Sequence, residues 1–187
     1  MTSDRRRRAD SPADEGARAR TRALHYLQAR ERSPLEVRER LRRYGYDEDL
    51  VAKITAWLED IGLLDQERFA RAVATARLNA GWSRRRILAE LAGKGVPPRE
   101  AEGAVDAVTA AGMDSGAIGP AGDDPPGDES GEDVLLINLV RRRFGRQLAE
   151  EPERGERRAL AFLVRRGHGW DRARRVVRAV LEAPRTG

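Results

Sequence analysis

Three glycines, Gly45, Gly95 and Gly167, each anchor the same apolar pattern, and that recurrence restricts the chain to a modular helical fold. Four residues before them stand Leu41, Leu91 and Leu163; eight before stand Val37, Ile87 and Ala159. Six after come Val51, Ala101 and Ala173; nine after, Ile54, Ala104 and Val176; thirteen after, Leu58, Val108 and Val180. Offsets of three and four place these residues on one face of a helix, so each glycine separates two amphipathic helices. The period is about 50 residues between the first two units and longer to the third. The extra length comes from a linker and from added residues near Gln147 to Arg154. A unit of this size buries little by itself; stacked units share a growing core. The expected fold is all-α: tandem three-helix modules, three repeats in all, forming an elongated, curved body.

The punctuation between these columns is that of helices. Ser33-Pro34-Leu35-Glu36 supplies an N-cap, a proline at the first helical position and a glutamate placed for a capping box. Asp47, Asp65 and Ser83 stand where N-caps are needed, and Gly45, Gly62, Gly81, Gly95 and Gly167 stand where helices should stop. Pro98 and Pro152 open further helices, Asp133 precedes another, and the last ends before Pro184. Two stretches lack any periodic apolar face. Residues 1–17 are polar and read as a disordered tail; residues 112–131 hold glycines, prolines and five acids and read as a flexible linker. The organisation predicted is repeat one over 18–64, repeat two over 65–111, a basic repeat three over 132–183, and a short tail at 184–187.

Composition narrows the chemistry. The 187 residues contain no Cys and only two histidines, His25 and His168, and aromatic residues make up 5%. Disulfides, thiolate metal sites and a cysteine nucleophile are excluded. No P-loop, zinc-ligand spacing or nucleophile elbow is present, so neither enzyme activity nor a metal or cofactor is expected. No window is apolar enough to span a membrane, and the basic run Arg5 to Arg8 is followed by no apolar stretch that would make it a signal peptide. A cytoplasmic monomer is the expectation. The net charge of +5 is uneven: residues 132–187 carry fourteen arginines against eight acids, while residues 111–131 carry five acids and no base. A polyanion, or an acidic groove on a protein, is the partner such a C-terminal third suits.

Candidate contact residues follow from the arginine runs. Arg84, Arg85 and Arg86 open a helix behind Gly81-Trp82-Ser83, where helix amides and guanidinium groups together suit an acidic side chain or a phosphate. Arg141, Arg142 and Arg143 precede Phe144, and Arg165 and Arg166 precede Gly167. Arg42 and Arg43 lie just ahead of Gly45, and Lys94 just ahead of Gly95, so a basic spot recurs and would form a stripe along a stacked body. The plainer alternative is that these cations are solvated surface. Trp82 reads as a packing residue of the turn. Asp65 and Glu67 read as an N-cap and a first-turn acid rather than a catalytic pair, and both histidines as packing or surface residues rather than ligands.

Several of these residues carry a resemblance. Gly62-Leu63-Leu64-Asp65-Gln66-Glu67-Arg68-Phe69-Ala70, Gly81, Ile87, Glu90-Leu91 and Lys94-Gly95-Val96 resemble the signature of the RecX family of RecA regulators. Ala23-Leu24-His25-Tyr26-Leu27, Arg30, Ser33, Glu36, Leu41 and Gly45-Tyr46 support it in the first unit, and Leu163 with Arg165-Arg166-Gly167 in the third. The likeness covers about residues 21–110 and 132–182. Three departures stand out: His168 where the family usually has Phe, Gly169 where a capping Ser is common, and a longer linker. The resemblance implies a non-enzymatic protein that lies along the groove of the RecA–single-stranded DNA filament. It further implies modulation of RecA ATPase, strand-exchange and coprotease activity in recombinational repair and the SOS response. A helical module that binds single- or double-stranded DNA directly, without RecA, is the alternative.

Overall fold

The computed structural model describes residues 12–114 and 131–183, and over these the chain forms nine α-helices and no strand. They are α1 (Pro12–Leu27), α2 (Pro34–Arg43), α3 (Glu48–Asp60), α4 (Gln66–Asn79), α5 (Arg84–Gly93), α6 (Pro98–Asp114), α7 (Gly131–Glu150), α8 (Pro152–Arg165) and α9 (Trp170–Glu182). They gather in threes around three cores. Val37, Leu41, Val51, Ile54 and Leu58 centre the first, with Ala19 and Ala23 of α1. Phe69, Ile87, Leu91, Ala101, Ala104 and Val105 centre the second. Leu136, Val140, Leu163, Ala173, Val176 and Val177 centre the third. The repeated columns are therefore the core residues, except that Val108 and Val180 are half-buried.

The helix boundaries follow local chemistry. Ser33 accepts from the Glu36 amide at 3.1 Å while the Glu36 carboxylate accepts from the Ser33 amide at 3.1 Å, a complete capping box. Asp47 and Asp65 cap α3 and α4 through the amides of Leu50 and Arg68, each at 2.8 Å. Five turn glycines, Gly45, Gly62, Gly81, Gly95 and Gly167, all have positive φ. That conformation, which disfavours a Cβ, closes the preceding helices.

Three boundary expectations are corrected. Helix α1 begins at Pro12, inside what reads as tail, because proline suits a first turn and Asp14 and Glu15 there favour the helix dipole; residues 1–11 lie outside the described residues. Helix α6 continues through Asp114 and α7 starts at Gly131, so only 115–130 of the expected linker lies outside them. Asp133 does not precede α7. It sits in its first turn, buried, and pairs with Arg172 of α9 at 2.5 Å; Arg172 also reaches Glu132 at 3.0 Å. Helix α7 then runs unbroken past Gly145 to Glu150.

The three groups adjoin in chain order. The first meets the second through Glu36–Lys94 at 2.8 Å and Glu31–Arg68 at 2.8 Å. The second meets the third where α6 packs on α7 and where the turns at Gly81 and Gly167 face each other.

Candidate partner-binding site

The expected contact residues do not form one stripe. Arg42 is held by Glu48 through two hydrogen bonds of 2.6 and 2.8 Å, and Arg43 donates to the Glu39 carbonyl at 3.3 Å. Lys94 is spent on Glu36 between the first two units. Arg84 is drawn to Asp106 on α6. These four face carboxylates or carbonyls of their own chain, which is the solvated or structural reading of a basic run.

The remaining arginines behave differently. Arg86, Arg143, Arg165 and Arg166, from α5, α7 and the end of α8, converge at the junction of the second and third units. Arg86 lies over the Trp82 ring at 4.3 Å and donates Nη1–H to the Arg165 carbonyl at 2.6 Å. Arg166 lies over Phe162 at 3.7 Å and donates Nε–H to the Ala80 carbonyl at 2.5 Å. Arg143 stands 5.1 Å from the same Phe162 ring, which meets Phe144 edge to face at 5.3 Å. Partial burial, together with the like charges of Arg143, Arg165 and Arg86, lowers the pKa of Arg166. Glu90 lies near, but Arg77 takes both its oxygens at 2.6 Å, which holds its pKa below the usual range. Beyond the cluster, Arg85, Arg141 and Arg142 are exposed and carry no ion pair among the described residues.

The backbone builds this site. The Ser83 amide donates to the Arg166 carbonyl at 3.0 Å, and His168, buried, donates Nε2–H to the Gly81 carbonyl at 2.9 Å. Two positive-φ turns thus bond to each other. Gly81 and Gly167 permit it: a Cβ on Gly81 would lie 2.5 Å from Leu139, and one on Gly167 2.8 Å from Ser83 Oγ. Trp82, read as a turn residue, is also the platform for Arg86 and, at 4.8 Å, for Arg77. Phe162 is the platform the arginine pattern did not reveal, because it lies inside the apolar register of α8. A small cleft lined by Leu78, Trp82, Glu132, Leu135, Leu136 and His168 has room for about one water, about 10 Å³.

Among the described residues no helix is long and apolar enough to cross a membrane, and no group of three or more His, Cys, Asp or Glu side chains is placed to hold a metal. What the fold and the junction define is an all-helical protein of tandem three-helix domains that carries cations on aromatic platforms. Comparison with known proteins narrows the class. The first three-helix domain of RecX matches residues 19–58, and the second matches residues 65–105. The regulatory protein RecX of Mycolicibacterium vanbaalenii is 33% identical over 92% of this chain and 88% of its own length. That of Mycobacterium ulcerans is 36% identical over 89% and 87%. The crystal structure of RecX from Lactobacillus salivarius shares the fold at a TM-score of 0.62 and 19% identity, over 90% of this chain and 97% of that one. The chain belongs to the RecX family, a family of regulatory proteins and not of enzymes.

Proposed function

We propose that this protein binds the RecA–single-stranded DNA filament in the cytoplasm as a monomer and restrains RecA ATP hydrolysis, strand exchange and coprotease activity. The third helical group acts as a third repeat, and the body lies along the filament groove, bridging neighbouring RecA protomers. The observation that carries this reading is the junction cluster. Arg86, Arg143, Arg165 and Arg166 converge, Glu90 near Arg86 is already taken by Arg77, and Arg85, Arg141 and Arg142 are exposed. Such a surface suits an acidic, periodic assembly rather than a small molecule.

The test is a titration into RecA on single-stranded DNA, following ATP hydrolysis. Substoichiometric protein should lower the rate. Replacing Arg141, Arg142 and Arg165 with Ala should raise the concentration needed by about tenfold at unchanged helicity, since their side chains are not tied down within the fold. An unchanged hydrolysis rate with folded protein at low salt overturns the proposal. The exposed, unpaired arginines also favour a second reading, direct DNA binding. Its mark is salt-sensitive affinity for naked DNA that RecA does not increase.

A further inference from the structure

The two junctions between units are built on one plan. Nine residues before Gly45 stands Glu36, and nine before Gly95 stands Arg86; one before Gly95 stands Lys94, and one before Gly167 stands Arg166. At the first junction the turn at Gly95 sits on the start of α2, with Leu35 Cβ 3.0 Å from where a glycine Cβ would be. At the second, the turn at Gly167 sits on the start of α5, against Ser83 Oγ at 2.8 Å and Arg86 Cβ at 3.5 Å. The first brings a carboxylate to an ammonium, Glu36 to Lys94 at 2.8 Å. The second carries arginines at both matching offsets, Arg86 and Arg166, close enough for the charge of one to act on the other.

From this charge inversion we infer that the Arg86–Arg166 junction is a phosphate-binding site, occupied by the backbone of a nucleic-acid strand. Both guanidinium groups lie over aromatic rings, Trp82 and Phe162, and each has spent one N–H on a carbonyl. The rest of each fork remains for an oxyanion, the geometry arginine offers phosphate. Of the charged groups facing the pair, Arg143 and Arg165 add positive charge, while Glu90 is neutralised by Arg77. A lone carboxylate offsets one cation. A strand carries a charge on every nucleotide, so the phosphates beyond the first remain available to Arg165 and to the exposed Arg141 and Arg142. A phosphate between Arg86 and Arg166 does for this junction what Glu36 does for the other: it removes like-charge repulsion and fastens two units together.

This deepens the reading of the junction as a contact surface and rests on it. The assay contains no RecA, so failure here and failure of filament regulation are scored separately. The full chain is titrated into labelled oligothymidylate and followed by fluorescence anisotropy. Arg86→Glu sets a carboxylate opposite Arg166 but gives up the bond to the Arg165 carbonyl and the contact with Trp82, so its Tm should stay within about 5 °C of the original. Its affinity should fall about tenfold or more, and its salt slope should drop by about 0.7 for each phosphate it no longer neutralises. Arg157→Glu, the same charge change at an exposed position of α8, should bind within about twofold of the unmodified chain. Inorganic phosphate should raise the Tm of the unmodified chain and leave Arg86→Glu and Arg86→Gln unmoved. Equal binding by Arg86→Glu and Arg157→Glu overturns the site, as does equal affinity for an uncharged methylphosphonate strand. Tighter binding of polyglutamate than of the oligonucleotide overturns it in favour of an acidic protein segment.

Discussion

Ser83 and Arg166 are joined main chain to main chain: the amide of an N-cap in the second unit donates to the carbonyl of a C-cap in the third, at 3.0 Å. That bond forms only if the two turns approach without side chains between them. The junction, and with it the arginine cluster, therefore depends on Gly167 as much as on the arginines.

Replacing Gly167 with Ala tests that dependence. The residue has a φ of 91°, and the added Cβ would lie 2.8 Å from Ser83 Oγ. The left-handed backbone alone costs about 1 kcal/mol for a side chain, and displacement of Ser83 adds to it. Gly62→Ala carries the same kind of backbone penalty, at a φ of 71°, with nothing within 4 Å of the new methyl. In urea unfolding, Gly167→Ala should lose about 2 kcal/mol or more and Gly62→Ala about 1 kcal/mol. Equal losses would show that the turn-to-turn contact adds no stability.

Glu36 makes the first junction acid-sensitive. Burial acts to raise its pKa, but hydrogen bonds from Lys94, Ser33 and Arg30 outweigh it and hold the carboxyl below its ordinary 4.5. A depressed carboxyl contributes stability that is complete above the unfolded value and is lost as pH falls through the folded one. Glu36→Gln should therefore cost roughly 1–3 kcal/mol at pH 7, where the carboxylate serves three donors. The difference from the unmodified chain should shrink steadily below about pH 4.5. Urea midpoints at pH 7 and at about pH 3 measure it, and a difference independent of pH would remove the carboxylate from the account.

The fold was legible because helices advertise themselves locally. Gly45, Gly95 and Gly167 with their flanking Leu, Ile and Val columns name the buried faces, and Ser33, Asp47, Asp65 and Ser83 name the starts. The site was half legible. Arg86, Arg143, Arg165 and Arg166 stand out as arginines, yet nothing local separates them from Arg42 or Arg84, whose carboxylate partners lie six and twenty-two residues away. Pairing across elements is a tertiary property, as with Arg172 and Asp133, thirty-nine residues apart. His168 shows the same limit. Beside two turn glycines it reads as packing or surface, and only docking onto Gly81 buries it.

That burial makes the second junction sensitive near neutrality. His168 donates Nε2–H to the Gly81 carbonyl, while its Nδ1 is buried and without a hydrogen-bond partner. Burial dominates and lowers its pKa below 6.5; the Gly81 bond raises it, Arg172 lowers it, and Glu132 and Asp133 raise it, without reversing the sign. For a histidine kept neutral by the fold, stability is complete above the unfolded value. It declines as pH falls from there toward the folded one, because only the unfolded chain takes up the proton. The decline can reach about 1.4 kcal/mol per pH unit within that window. His168→Phe should cost about 1 kcal/mol at pH 8, where Gly81 loses its donor, but should flatten the fall in stability as pH drops below 6.5. Hydrogen exchange at the Ser83 amide reads the junction directly: protection should fall with pH, after correction for intrinsic exchange, in the unmodified chain and not in His168→Phe. A slope that persists in His168→Phe would assign the proton uptake to another group and leave this junction indifferent to pH.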